Sequence, residues 1–226
     1  YDPMLAKVIT WGRDRAEATR RMVRALAGAS IQGTVTNRAF LLDLLRHPAW
    51  AEGAVHTHFI ADHFPAERRQ DTQGANAGSG ARAAVVATVA VAMVRAGERQ
   101  VLPSLVAGYR SNRWRDAEQR WRVGEDVLEV RYRATTQGRF VAGIFGDGQP
   151  EVSVRVVAQS GAAHRLEIDG HVADYRVVWD ALPGELVETR AWVHGPFGSV
   201  ALVAEPRFPE AALDEQAGSC RAPMPG

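Results

Sequence analysis

The chain has 226 residues, 46% of them hydrophobic and 23% charged, the make-up of one large or two small folded domains and not of a disordered polymer. Its 27 basic and 26 acidic residues leave a formal net charge of +1 and are interleaved without a block of either sign, which argues against nucleic acid and anionic membrane as partners. The one cysteine, Cys220, allows no internal disulfide and suits a reducing compartment, read here as the cytoplasm.

Taken in order, Leu5 to Trp11 is a short, mostly apolar run that reads as a strand, with a turn over Gly12 to Asp14. No signal peptide is visible, and the chain opens on Tyr1 as if its natural start lay upstream. From Arg15 to Ala27, Ala18, Met22, Val23, Leu26 and Ala27 recur at helical spacing until Gly28 stops the pattern. After Thr36 a second helix is expected, burying Phe40, Leu41, Leu44 and Leu45 and ending at Pro48. One more turn is expected at Phe59 to Phe64. One strand and two or three helices cannot close a core, because the strand lacks a ladder partner and a cover for its second face. Residues 1–66 therefore read as the end of a larger domain.

Residues 67–80 are rich in Gly, Ala, Asn, Gln and Ser and read as a linker. A new domain, 81–208, starts at Ala81. Between Ala83 and Val94 every residue except Thr88 is apolar, so a helix here shows hydrophobic surface around its whole circumference and must be wrapped. The twelve positions span about 18 Å, too short for a bilayer, and Arg82 and Arg95 bracket them. From Trp121 the period changes to two. Leu128, Val130 and Tyr132 alternate with charged residues, and Phe140 to Ile144, Val152 to Val156, Leu166 to Ile168, Tyr175 to Trp179, Val187 to Val193 and Val200 to Val203 follow. Asp169-Gly170 is a strong two-residue hairpin signal. Seven or eight short strands with short turns make an antiparallel barrel or sandwich, and the slim Ala/Val helix fits inside it. The fold class is thus α+β: a barrel of about eight strands around a central helix, preceded by an α/β remnant. Residues 209–226 read as a further linker.

Between helix and strands, Leu102 to Glu118 has no clean period and carries Tyr109, Arg110, Asn112, Arg113 and Trp114. Tyr, Trp and Arg dominate interface energies, so this loop is the candidate partner-binding site. His56, His58 and His63, with Asp62, have a spacing that a metal could use, but imidazoles beside Phe59 and Phe64 read better as groups at a helix end. Asp14 with Glu17, and Glu125, Asp126 and Glu129, sit among arginines and read as ion-paired faces, not acid/base pairs. Cys220 has no histidine near it in sequence and reads as no nucleophile. No metal or catalytic residue is assigned.

Tyr1-Asp2-Pro3-Met4-Leu5-Ala6-Lys7-Val8-Ile9, Thr36-Asn37 before Phe40 to Pro48, and Thr57-His58-Phe59-Ile60 resemble the end of the biotin carboxylase domain of biotin-dependent acyl-CoA carboxylases. Arg221-Ala222-Pro223-Met224-Pro225-Gly226 resembles the opening of their biotin carrier domain. In the propionyl-CoA and methylcrotonyl-CoA carboxylases the region between is a helix inside an eight-stranded antiparallel barrel, which docks the biotin-containing subunit on the carboxyltransferase (beta) subunit of a hetero-oligomer. Gly108-Tyr109-Arg110-Ser111-Asn112 is similar to a Gly-Trp-Arg-Asn segment of relatives. The resemblance implies that the full enzyme uses ATP, Mg, bicarbonate and biotin, and that the parts binding ATP and carrying biotin lie outside this stretch, which is then a non-catalytic middle segment. Trp11 and Arg15 match positions at which stand-alone biotin carboxylases pair. A small apolar-ligand barrel, and the same region of a single-chain carboxylase, are the alternative readings.

Overall fold

The computed structural model describes residues 4–34, 36–64, 77–111, 114–136, 138–146, 148, 150–181 and 189–206. The first part is helical: α1 is Arg15–Gly28, α2 Arg38–Arg46, α3 Pro48–Ala51 and α4 Phe59–His63. Asp14 caps α1 by accepting the Glu17 amide at 2.7 Å. His47, extended because a proline follows it, ends α2 and caps α3 by accepting the Ala49 amide on Nδ1.

Two expectations for this part are corrected. Leu5 to Trp11 is not a strand: no ladder partner lies beside it among the described residues, and Leu5, Ile9 and Trp11 are largely exposed. It is held instead by single bonds, Thr10 Oγ1 to the Ala18 carbonyl and Arg21 Nη1 to the Trp11 carbonyl. In α2 the fully buried positions are Leu42 and Arg38, while Phe40, Leu41, Leu44 and Leu45 are half-buried. Arg38 reaches the end of α1 by donating to the Leu26 carbonyl, and Phe40 meets Phe64 edge-on at 5.4 Å.

The central helix, α5, runs Ala77–Gly97 and so starts four residues before the expected Ala81. Gly80 lies in the extra turn. It is buried and faces Val123 and Leu128 of the first hairpin, so this turn of the helix lies against the barrel wall. Eight strands surround it: β1 Ala117–Val123, β2 Asp126–Thr136, β3 Arg139–Ile144, β4 Val152–Ser160, β5 Ala163–Ile168, β6 His171–Trp179, β7 Thr189–Gly195 and β8 Gly198–Ala204. Each pairs antiparallel with the next, and β8 pairs with β1 through Trp121↔Ala204 and Arg122↔Val203, which closes the barrel and leaves no edge.

The expected alternation is what fills the interior. Trp121, Phe140, Leu166, Ile168 and Leu202 point inward and are almost wholly buried, and Ala83 to Ala92 lie among them at 5% exposure or less. By length and composition alone Gly78–Gly97 could cross a membrane, yet it is the barrel's core. Thr88 keeps its place in that core by bonding twice. Its Oγ1 donates to the Ala84 carbonyl and accepts the Trp121 indole N–H, both at 2.8 Å. Outside, arginine and acid stand opposite each other across strands: Arg120 with Glu129, Arg155 with Glu167, Arg165 with Asp174. Such pairs hold register more than they add stability.

Because all neighbours are antiparallel, the β1–β2, β3–β4, β5–β6 and β7–β8 turns gather at one end of the barrel, with the start of α5. The loop after α5 enters β1 at the opposite end.

Candidate functional site

That loop closes the far mouth of the barrel. Arg99 Nη1 donates to the Leu105 carbonyl at 3.2 Å, and the amides of Leu105 and Tyr109 reach back to Leu102 and Val106, so the segment is folded on itself. Ala107 is buried. Gly108 has φ +75°, and a Cβ there would stand 3.1 Å from Tyr132 Cε2 with Phe140 just behind. Only glycine lets the backbone lie this close over the two rings in this conformation.

From this anchor the next side chains diverge. Tyr109 is about half exposed and Trp114 is 97% exposed. Arg110 turns back and donates from Nη1 to the Asp116 carbonyl at 2.7 Å, which fixes the descent into β1. Asn112 and Arg113 lie outside the described residues. Val101 and Leu102 add exposed apolar surface on the same loop, and Leu102 holds φ +54°, rare for a bulky residue. Neither of these two is among the residues expected from sequence to bind a partner; the signal that could have found them is an apolar pair continuing past the end of an apolar helix.

A charged base supports the loop. Arg133 on β2 donates to the carboxylates of Glu151 and Asp116, and Arg115 pairs with Glu118. The Glu151 bond, then Asp116, raise the Arg133 pKa above its ordinary value against the opposing effect of burial, and Arg133 in turn lowers that of Glu151. Arg133 is therefore a fixed cation. The arrangement is an apolar and aromatic tip on a salt-bridged base, which suits contact with another protein.

The other sequence candidates are dispersed. Trp11 is largely exposed with the Arg21 guanidinium 5.9 Å from its ring, while Arg15 donates to the Trp50 carbonyl and lies over the Trp50 ring at 4.7 Å. The His63 ring is tilted 45° to that of His47 with centroids 4.4 Å apart, and His56 faces Asp62 at 3.7 Å; among the described residues no group of three or more His, Cys, Asp or Glu comes together for a metal. Glu17 is held low by its bonds to Arg13, and the bonds of Glu129 to Arg131 and Arg120 outweigh the upward push of burial. Both carboxylates stay ionised, and neither is poised as a general base. Cys220 lies outside the described residues.

Comparison with known proteins bears on the first part of the chain. Residues 1–62 match the model of the biotin carboxylase C-terminal domain. The alpha chain of the methylcrotonoyl-CoA carboxylase of Arabidopsis thaliana is 43% identical over 63 residues, 28% of this chain and 9% of that protein. The human propionyl-CoA carboxylase alpha chain is 40% identical over 65 residues, 29% of this chain and 9% of that protein. A pyruvate carboxylase chain of Methanothermobacter thermautotrophicus is 43% identical over 63 residues, 28% of this chain and 13% of that protein. The chain thus resembles a small part of each relative, and the barrel lies outside the matched family model.

Proposed function

We propose that this chain is the middle segment of the biotin-containing subunit of an acyl-CoA carboxylase of the propionyl- or methylcrotonyl-CoA type, and that its barrel docks that subunit on the carboxyltransferase. The observation that carries the reading is the pairing, in one chain, of a biotin carboxylase C-terminal match with a barrel closed around a helix and capped by an exposed aromatic loop. Tyr109 and Trp114 are the anchors, with Asn112 and Arg113 between them in sequence, and Val101 and Leu102 widen the apolar contact. Arg110 supports the loop from inside.

In this reading the complete protein carboxylates biotin with ATP, Mg and bicarbonate and passes the carboxyl group to an acyl-CoA, in the cytoplasm, while this segment supplies geometry. In this reading ATP and biotin are held by parts of the complete protein outside this stretch, whose sequence has no Gly-rich phosphate loop. A carrier tethered beyond the barrel reaches two active sites by effective concentration, so the dock has to hold the subunits together without taking part in transfer. A small apolar ligand is a poorer occupant, since the barrel interior is filled by α5 and by side chains such as Trp121 and Phe140.

The test is a co-purification. Replacing Tyr109 and Trp114 together by Ala in the intact subunit is expected to weaken its retention by the carboxyltransferase at least about tenfold, the loss of one hot-spot residue or more, while biotin-dependent ATP hydrolysis stays unchanged. Undiminished retention overturns the docking role.

A further inference from the structure

Beyond the end of α5 the stretch from Gln100 to Tyr109 carries no charged side chain, in a sequence of which 23% is charged. It divides in two. Leu105 and Val106 are half-buried and Ala107 is buried, so the second half turns in over the barrel mouth. Val101 and Leu102 turn out instead, at 76% and 62% exposure. Two adjacent apolar side chains left in water deny the free protein the burial that the residues just after them obtain.

The backbone beneath them is strained as well. At φ +54° the Cβ of Leu102 crowds the following carbonyl, and Pro103 favours extended backbone at the residue before it, so two preferences are overridden at once. What overrides them is local. Pro103 stands second in a turn that the Leu105 amide closes on the Leu102 carbonyl at 3.1 Å, and Arg99 Nη1 reaches across to the Leu105 carbonyl at 3.2 Å. Arg99 is itself tied to the last turn of α5, its amide donating to the Ala96 carbonyl at 3.4 Å. The turn is thereby mounted on a helix that the barrel encloses, and its outward residues are fixed before a partner arrives. Folding alone would place Gly or Asn at such a φ, and strain of this kind gathers where a contact is made.

We propose that Leu102, with Val101 beside it, is a contact residue held out in a strained turn to enter an apolar, uncharged pocket on the carboxyltransferase. The lack of charge from Gln100 to Tyr109 favours such a pocket, since a charged wall facing this stretch would be desolvated without a counter-charge. The assignment rests on the docking reading of the loop and adds to it a residue that works against folding. Leu102 lowers the stability of the free chain, and its apolar surface is buried only in the complex. Stability and docking therefore move in opposite directions when it is replaced.

The test sets thermal unfolding of the full chain beside retention of the intact subunit by the carboxyltransferase. Leu102→Asn, which brings a side chain that tolerates the left-handed region, is expected to raise Tm by roughly 2–4 °C and to weaken retention about tenfold. Val172→Asn removes an apolar side chain of similar exposure, 56%, from the outer face of β6 and is expected to leave retention as in the parent. A Tm that does not rise in Leu102→Asn shows a leucine that serves its own loop, and overturns the proposal, as does an equal loss of retention in both variants. Undiminished retention of Leu102→Asn while the Tyr109/Trp114 double variant is weakened overturns the role of Leu102 and leaves the docking reading standing. Undiminished retention of all three overturns both.

Discussion

Thr88 is the one polar residue in the core stretch of α5, and replacing it by Val tests the enclosure of the helix directly. Val is close to Thr in shape, β-branching and helix propensity, so the change removes little besides the hydroxyl. That hydroxyl accepts the Trp121 indole N–H, and both residues are at 1% exposure or less. After the substitution the indole N–H is buried without an acceptor, which costs about 1–3 kcal/mol. At this chain length each kcal/mol lowers Tm by roughly 2–4 °C, so a mid-range loss of about 2 kcal/mol predicts a drop of roughly 4–8 °C. Trp121→Phe removes the donor but leaves a void where the larger ring was, and is expected to cost on the order of 2 kcal/mol for a different reason. In the double variant no donor is left unpaired, so its loss is expected to fall short of the two single losses added together by about 1 kcal/mol or more. The assay is chemical denaturation followed by far-UV circular dichroism on the three variants and the parent. A Thr88→Val loss under about 0.5 kcal/mol, or strict additivity in the cycle, would refute the placement of Trp121 against the helix.

Other expectations follow from single observations. His164 is buried in the barrel wall opposite Gln159 and Tyr175, its Nε2 has no partner among the described residues, and burial depresses its pKa below that of the unfolded chain. The unfolded state then binds more protons as pH falls below about 6.5, so stability present above that pH is lost below it, and His164→Leu is expected to flatten this part of the urea-midpoint profile against pH. An unchanged slope between about pH 7 and 5 would sink the assignment. Gly108→Ala forces an L side chain into φ +75° and a Cβ against Tyr132, and should lower stability by about 1–2 kcal/mol in thermal denaturation; a neutral result means the loop does not lie over the barrel mouth. Arg133→Gln removes the chief cause of the low Glu151 pKa, so the Glu151 carboxyl is expected to titrate higher by NMR, and an unmoved titration would show the pair to be absent.

Much of this fold was legible because two different periodicities adjoin. An all-round apolar helix can only be enclosed, and the alternating strands after it supply the enclosure, so Ala83 to Val94 and Leu128 to Val203 each point to the other. Asp169 and Gly170 hold φ of 49° and 80°, as the two-residue turn requires. Where sequence misleads, the deciding partner lies far away along the chain. Leu5 to Trp11 has strand composition but no ladder partner among the described residues, and in α2 Arg38 turns to the Leu26 carbonyl of α1, a contact that periodicity does not announce. The early start of α5 places Gly80 beside Val123 and Leu128, neighbours that a Gly- and Ser-rich composition does not announce.

The same contrast separates the two ends of the barrel. Tyr109 and Trp114 could be picked out because aromatics in an aperiodic loop are unusual by themselves. Arg38 could not, because an arginine opening a helix is ordinary; its role shows only when the Leu26 and Ala27 carbonyls of α1 stand beside its guanidinium. The two ends also differ in how they withstand change. Ala107 and Gly108 tie the loop to the core while its tip projects away from it, so the tip can vary at little cost to the barrel. At the other end Arg38 is buried and bonded to two carbonyls of α1, and removing it strands those acceptors. A barrel without edges can carry both, since its closed hydrogen-bond ladder requires nothing of the residues at either end.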